Sequence, residues 1–155
     1  EVTGPDVVLV PGGVGTRELM TDGPVLDWIR TAHRSTRFTT SVCTGSLVLA
    51  AAGLLDGLTA TTHWAAREFL NASGARYSPQ RVVENLPERV VTAAGVSSGI
   101  DMALRLVEIL VGRESAQASQ LMIEYDPQPP FDSGDPAKAS AATLRLALEY
   151  FQQRD

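Results

Sequence analysis

Residues 38–50, Phe-Thr-Thr-Ser-Val-Cys-Thr-Gly-Ser-Leu-Val-Leu-Ala, restrict what this chain can fold into more than any other stretch. A β-branched run stops at Cys43, and Ala- and Leu-rich sequence starts directly after it. β-Branched residues suit strands, whereas Ala and Leu favour helix. The segment therefore predicts a strand, a sharp turn and a helix with Cys43 at the corner, the arrangement of a nucleophile elbow. Such a corner strains its central residue and needs small neighbours two positions away, here Ser41 and Gly45. A thiol at a helix N-terminus faces unpaired N–H groups and the positive end of the helix dipole, which favour thiolate. Cys43 is accordingly expected to be reactive. By residue type alone it reads as a small buried apolar side chain, and the strand-turn-helix context reverses that reading.

The rest of the composition limits what such an elbow can serve. The 155 residues are read as one domain, 1–155, with room for a real core but not for a second. Thirteen Lys and Arg against eighteen Asp and Glu give a net charge of −5, the opposite of a basic footprint for nucleic acid or an anionic membrane. One cysteine excludes an internal disulfide and any multi-cysteine zinc site, and suits a reducing, cytoplasmic setting. Apolar runs such as 47–55 are too short to span a bilayer. The chain opens at Glu1 and enters a strand almost at once, which leads to the expectation that further sequence lies ahead of it.

Val7 to Val10 is an unbroken apolar run, expected as a parallel strand covered on both faces. Pro11-Gly12-Gly13-Val14-Gly15 follows at its carboxyl end, where open α/β sheets place ligands. It has neither the lysine of a P-loop nor dinucleotide spacing, so its expected use is a bare backbone N–H offered to substrate. Helical periodicity runs from Pro24 to about Arg34, with His33 read as a cation near the helix C-terminus. After the elbow helix, Leu58 to Thr62 predicts a strand delivering His63 and Trp64, which open a helix to Leu70. His63 either lines the crevice beside Cys43 or caps that helix. Strands are expected at 81–85 and 89–93, then a small-residue loop, 94–99, and helices at 100–111 and 114–125. Asp101 is read as a helix-dipole partner rather than a catalytic acid. Prolines make 126–136 an extended arm, with Phe131 as an apolar anchor for this subunit or a partner. Helical periodicity resumes over 137–153.

Four segments together resemble the DJ-1/PfpI superfamily: Val10-Pro11-Gly12-Gly13, Ser41-Val42-Cys43-Thr44-Gly45, Ala60-Thr61-Thr62-His63-Trp64, and Ala94 to Asp101. The resemblance implies a class I glutamine amidotransferase-like, flavodoxin-like fold: a doubly wound, mostly parallel α/β sheet flanked by helices, here without its N-terminal strands. Thr44 after the cysteine argues against the peptidase-like branch, where histidine follows. The arm from Tyr125 to Asp132 resembles that of isonitrile hydratases, which add water to R–N≡C and release an N-substituted formamide. That likeness implies Cys43 as nucleophile, and the N–H groups of Gly13 and Thr44 as an oxyanion hole. It further implies Gly12, His63 and Trp64 as substrate pocket, a small-molecule substrate, a homodimer, and no metal or organic cofactor. The acid/base in the family is a carboxylate ahead of the glycine loop, with no counterpart in this chain; without the preceding strands the sheet is expected to expose a bare edge and an uncovered face. Two other readings share the elbow: the ligand-sensing domain of an AraC-type regulator, and a cysteine-based redox or stress sensor. No basic recognition helix follows here, which disfavours DNA binding by this chain.

Overall fold

The computed structural model describes residues 4–152. They fall into two compact units, divided between Leu106 and Val107. The first unit is built on a four-stranded sheet in the order β1-β2-β6-β5. Its strands are β1 (Val7–Val10), β2 (Phe38–Val42), β5 (Val82–Asn85) and β6 (Val90–Ala93). The first three in sheet order are parallel, and β5 is antiparallel to β6. Arg89, between β5 and β6, adopts φ 57° and thereby helps turn the chain back.

The register divides side chains between two faces. Val8, Thr39 and Val90 lie side by side, as do Val10, Ser41 and Thr92. Val8, Val10 and Val90 join the main core with Leu26 and Ile29 of α2 (Gly23–His33), Val48 and Leu49 of α3 (Gly45–Ala51), and Leu70 of α4 (Arg67–Ala72). α2 starts where predicted because Asp22 accepts the Val25 N–H at 3.1 Å and Pro24 needs no N–H partner in the first turn.

The opposite face carries Val91, whose antiparallel partner Glu84 forms a two-point ion pair with Arg105, with Nε···Oε1 at 2.7 Å. Arg105 belongs to α5 (Ser98–Leu110), so α5 covers that face. Gly99 of α5 sits so close to Val42 that a Cβ there would meet a valine methyl at 3.1 Å. Helices on both faces make the sheet doubly wound, as the resemblance implied.

The expectation that β1 is covered on both faces holds on one only. Val8 and Val10 are buried, while Val7 and Leu9 are 36% and 51% exposed, and β1 is an edge of the sheet. An apolar hollow of about 330 Å³ follows this strand, lined by Pro5, Val8, Val25, Trp28 and Ile29 among others. Among the described residues, β1 is the bare edge that the resemblance predicted.

The strand 58–62 contracts to β3 (Thr59–Ala60), which pairs with β4 (Arg76–Tyr77) in a separate two-stranded sheet. The Thr61 N–H donates instead to the Thr92 hydroxyl at 3.0 Å, and this removes it from any ladder. A 3₁₀ turn, Trp64–Ala66, then precedes α4.

In the second unit, α6 is Arg113–Met122 and α7 is Ala141–Gln152. α6 ends before the predicted Tyr125 because Glu124 adopts φ 48°. α7 starts four residues later than predicted, where the Ser140 hydroxyl accepts the Thr143 N–H at 3.1 Å. Residues 126–136 form no helix or strand, as expected of an extended arm, and Phe131 is 77% exposed. Gln153, the last residue of the predicted final helix, lies outside the described residues. Among the described residues, no helix is long and apolar enough to cross a membrane.

Candidate active site

Cys43 stands at the corner between β2 and α3 with φ 58°, the left-handed conformation expected of an elbow. Such a backbone costs a non-glycine residue about 1–3 kcal/mol and persists where its surroundings hold it. Here the Cys43 N–H donates to the carbonyls of Ala93, the last residue of β6, at 3.1 Å and of Ala94, just beyond it, at 2.7 Å. The Cys43 carbonyl accepts the Thr62 hydroxyl at 3.0 Å and the Ser46 hydroxyl at 3.1 Å. Both peptide groups of the strained residue are thus held from other segments.

Small neighbours are required, for separate reasons. A Cβ on Gly45 would collide with the Val10 carbonyl oxygen. One on Gly12 would lie 2.6 Å from Cys43 Cβ and 2.9 Å from its Sγ. The glycine loop therefore lies directly against the thiol. Gly12 and Gly13 are exposed and Cys43 is half-buried, so the thiol sits under a loop open to solvent.

Thr44 ties loop and elbow together. Its hydroxyl accepts the Gly13 N–H at 3.0 Å and lies 3.1 Å from the Thr16 hydroxyl, which itself donates to the Gly13 carbonyl at 2.7 Å. The Gly13 N–H, expected to face substrate bare, thus has the Thr44 hydroxyl as partner. It can serve an oxyanion only by exchanging that partner for substrate.

The thiol's electrostatics depart from expectation. Burial pushes the Cys43 thiol up, and hydrogen bonds from the Thr44 N–H and hydroxyl pull the other way without prevailing. The helix-terminus argument predicted the reverse. α3 has only seven residues, and desolvation of the thiol outweighs what its first turn offers.

His63 is brought near the elbow by its neighbours on both sides. Thr62 bonds the Cys43 carbonyl, and a Cβ on Gly95, next to Ala94, would lie 3.7 Å from the His63 ring. Its Nδ1 accepts the Ala65 N–H at 3.3 Å, so it caps the 3₁₀ turn, and burial lowers its pKa. Trp64 lies against the His63 ring, with centroids 5.4 Å apart. His33 is at the other end of β2, where its Nδ1 lies 2.9 Å from the Thr39 hydroxyl. Burial and the nearby Arg89 lower its pKa, which corrects its reading as a helix-end cation. Asp101 pairs with Arg81 at 2.5 Å. Among the described residues, no three His, Cys, Asp or Glu side chains gather as a metal cluster.

The sequence of residues 1–109 matches the model of the DJ-1/PfpI family. The chain belongs to the DJ-1/PfpI family. Its sequence is 50% identical over 139 residues to the isonitrile hydratase of Pseudomonas putida, covering 90% of this chain and 60% of that enzyme. A THiJ/PfpI family protein from Pseudomonas syringae superposes with a TM-score of 0.88 at 38% identity, over 96% of this chain and 61% of that one. The HTH-type transcriptional regulator GbdR of Pseudomonas aeruginosa is 32% identical over 121 residues, 78% of this chain and 33% of the regulator. The chain thus spans about three-fifths of the length of the hydratase and of the Pseudomonas syringae protein.

Within this DJ-1/PfpI domain, Gly12, Gly13, Cys43 and Thr44 form one contiguous cluster, with His63 reached through Thr62 and Gly95. The apolar hollow along β1 is a separate feature, and none of these residues lines it. Sequence reasoning missed Thr16, Thr62 as a donor to the elbow, and the Ala94 carbonyl. Thr62 and Ala94 lay inside segments that carried the family resemblance, but Thr16 lay in none.

Proposed function

We propose that this chain carries the nucleophile of an isonitrile hydratase reaction, with Cys43 attacking the isocyanide carbon of R–N≡C. The observation that carries the reading is the 50% identity to a hydratase over 90% of the chain, which includes the elbow. Chemistry supports it. An isocyanide carbon accepts a nucleophile and a proton at the same atom, so a thiol adds across it: the S–H bond breaks, and S–C and C–H bonds form. The product is a thioimidate, R–N=CH–S–Cys43. A thiol kept largely protonated by burial retains the proton that this addition consumes. Water then adds to the same carbon, the C–S bond breaks, nitrogen takes a proton, and R–NH–CHO leaves with the thiol restored.

Thr44 would hydrogen-bond the sulphur and the attacking water, and the N–H groups of Gly13 and Thr44 would stabilise charge on the tetrahedral intermediate. Gly12, His63 and Trp64 would border the substrate. The test is conversion of an alkyl isocyanide to its formamide by this chain beside Cys43→Ala. Formamide from the parent alone supports the reading. No formamide from a folded parent whose Cys43 still alkylates overturns it and favours a sensing role.

A further inference from the structure

Pro11 to Gly15 lead from β1 to the four-residue helix α1 (Thr16–Leu19), and three of those five residues are glycine. All five are exposed, and Thr16, the next residue, is buried. A loop of this composition has wide backbone freedom of its own. It nevertheless lies so close to the nucleophile that a Cβ on Gly12 would meet Cys43 Cβ at 2.6 Å and Sγ at 2.9 Å. Such an approach requires the loop to be fixed from outside.

The hydrogen bonds at Gly13 fix it. Its φ of 142° belongs to the region that glycine enters and other residues avoid. The peptide group before its Cα donates its N–H to the Thr44 hydroxyl at 3.0 Å. The peptide group after its Cα presents the Gly13 carbonyl, which takes the Thr16 hydroxyl at 2.7 Å and the Thr44 hydroxyl at 3.4 Å. Both backbone dihedrals of Gly13 are therefore held. A hydroxyl bonding the carbonyl three residues back is ordinary turn chemistry. What takes Thr16 beyond a turn is its 3.1 Å contact with the Thr44 hydroxyl, 28 residues on, which ties the turn to the residue beside the nucleophile.

We propose that Thr16 is a positioning residue: with Thr44 it fixes the two peptide groups that flank the Gly13 Cα and so seats the glycine loop on the Cys43 thiol. The inference rests on the reading of Cys43 as the attacking group and of the Gly13 N–H as a donor to the intermediate. Seating the loop aims that N–H and keeps water from the sulphur beneath it.

Unseating the loop is expected to drive two readouts apart. Water reaching the sulphur makes the thiol easier to ionise, whereas a misaimed N–H slows turnover. The test compares the parent with Thr16→Val, Thr16→Ser and Asn85→Ala. Asn85 donates to the Thr59 carbonyl at 2.9 Å, at the end of β5 far from the elbow, so its loss controls for a general fall in stability. In iodoacetamide alkylation, which reads the single cysteine, Thr16→Val is expected to lower the pH midpoint by about half a unit or more. With an alkyl isocyanide, the same variant lowers kcat by about three- to tenfold and leaves KM within about twofold. Thr16→Ser keeps the hydroxyl and matches the parent in both assays, and Asn85→Ala matches its alkylation midpoint. Should Thr16→Val fail to fold, Thr16→Ala removes the hydroxyl without placing a methyl against the Gly13 carbonyl. A midpoint that stays or rises when the hydroxyl is lost, a Thr16→Ser profile that follows Thr16→Val, or an equal shift in Asn85→Ala overturns the proposal. So does an unchanged kcat in a chain that makes formamide. The expected alkylation shift in a chain that makes no formamide removes the hydratase reading and leaves the seating role standing.

Discussion

Gly45→Ala sets two contributions of opposite sign against each other. As the first residue of α3, Gly45 should give way to alanine with a gain of about 0.5–1 kcal/mol from helix propensity. The packing says otherwise. A Cβ there would collide with the Val10 carbonyl oxygen, with the Val10 carbonyl carbon at 2.9 Å and the Pro11 oxygen at 3.0 Å. All are backbone atoms, so no side chain can swing aside. Restoring an ordinary carbon–oxygen contact of about 3.3 Å or more requires β1 or α3 to move by roughly an ångström. β1 is held to β2 from Val7 to Val10, so that movement strains a ladder as well as a turn. Overpacking costs typically about 1–3 kcal/mol and more where backbone must shift, and a weakened buried hydrogen bond adds about 1 kcal/mol. After subtracting the helix gain, the net expectation is about 2–4 kcal/mol of destabilisation. For a domain of this size that lowers Tm by about 5–15 °C. The assay is thermal and urea unfolding followed by circular dichroism, with Gly23→Ala as control. Gly23 also opens a helix, but nothing lies within 4 Å of its would-be Cβ, so that variant should be neutral or slightly stabilised. A Gly45→Ala protein melting at or above the parent, alongside such a control, would refute the close approach between β1 and α3.

The remaining expectations concern polar groups held out of water. Ser41 Oγ is buried without a protein partner, so Ser41→Ala should leave stability unchanged or raise it by up to about 1 kcal/mol; a loss larger than that in urea melts would mean that the hydroxyl is satisfied. The pKa values of His33 and His63 are lowered, so below about pH 6.5 the unfolded chain binds more protons than the folded one. Their contribution is therefore present above that pH and lost as pH falls through it. Replacing both by Asn should flatten the drop in urea midpoint between pH 7.5 and 5, and an unchanged slope would contradict it. Because burial raises the thiol, Cys43 should alkylate more slowly at pH 7 than a free thiol and accelerate further into the alkaline range than one. A faster, pH-independent reaction at pH 7 would contradict that.

What the sequence made legible is what is written locally, and what it hid depends on contacts across the chain. The elbow could be read because β-branched residues, cysteine and small residues follow one another within 38–50, and Asp22 and Pro24 marked the start of α2 in the same way. The exposure of Val7 and Leu9 could not be read, because four apolar residues in a row look alike whether one face or both are covered. Hydroxyls were the larger blind spot. Thr40, Thr61, Thr62 and Thr92 register in a sequence as β-branched strand formers, and all are fully buried. Yet the Thr40 hydroxyl donates to the Val8 carbonyl across the sheet, Thr92 takes the N–H that ends β3, and Thr62 holds the carbonyl of the strained cysteine. The same side chains that supply β propensity thus decide where a strand stops and how a corner is braced. The cysteine's pKa is governed likewise: the favourable influence, a helix start, is local and visible, whereas desolvation by a loop 30 residues upstream is neither. An elbow motif therefore fixes where the sulphur stands, and burial of the thiol decides how readily it gives up its proton there.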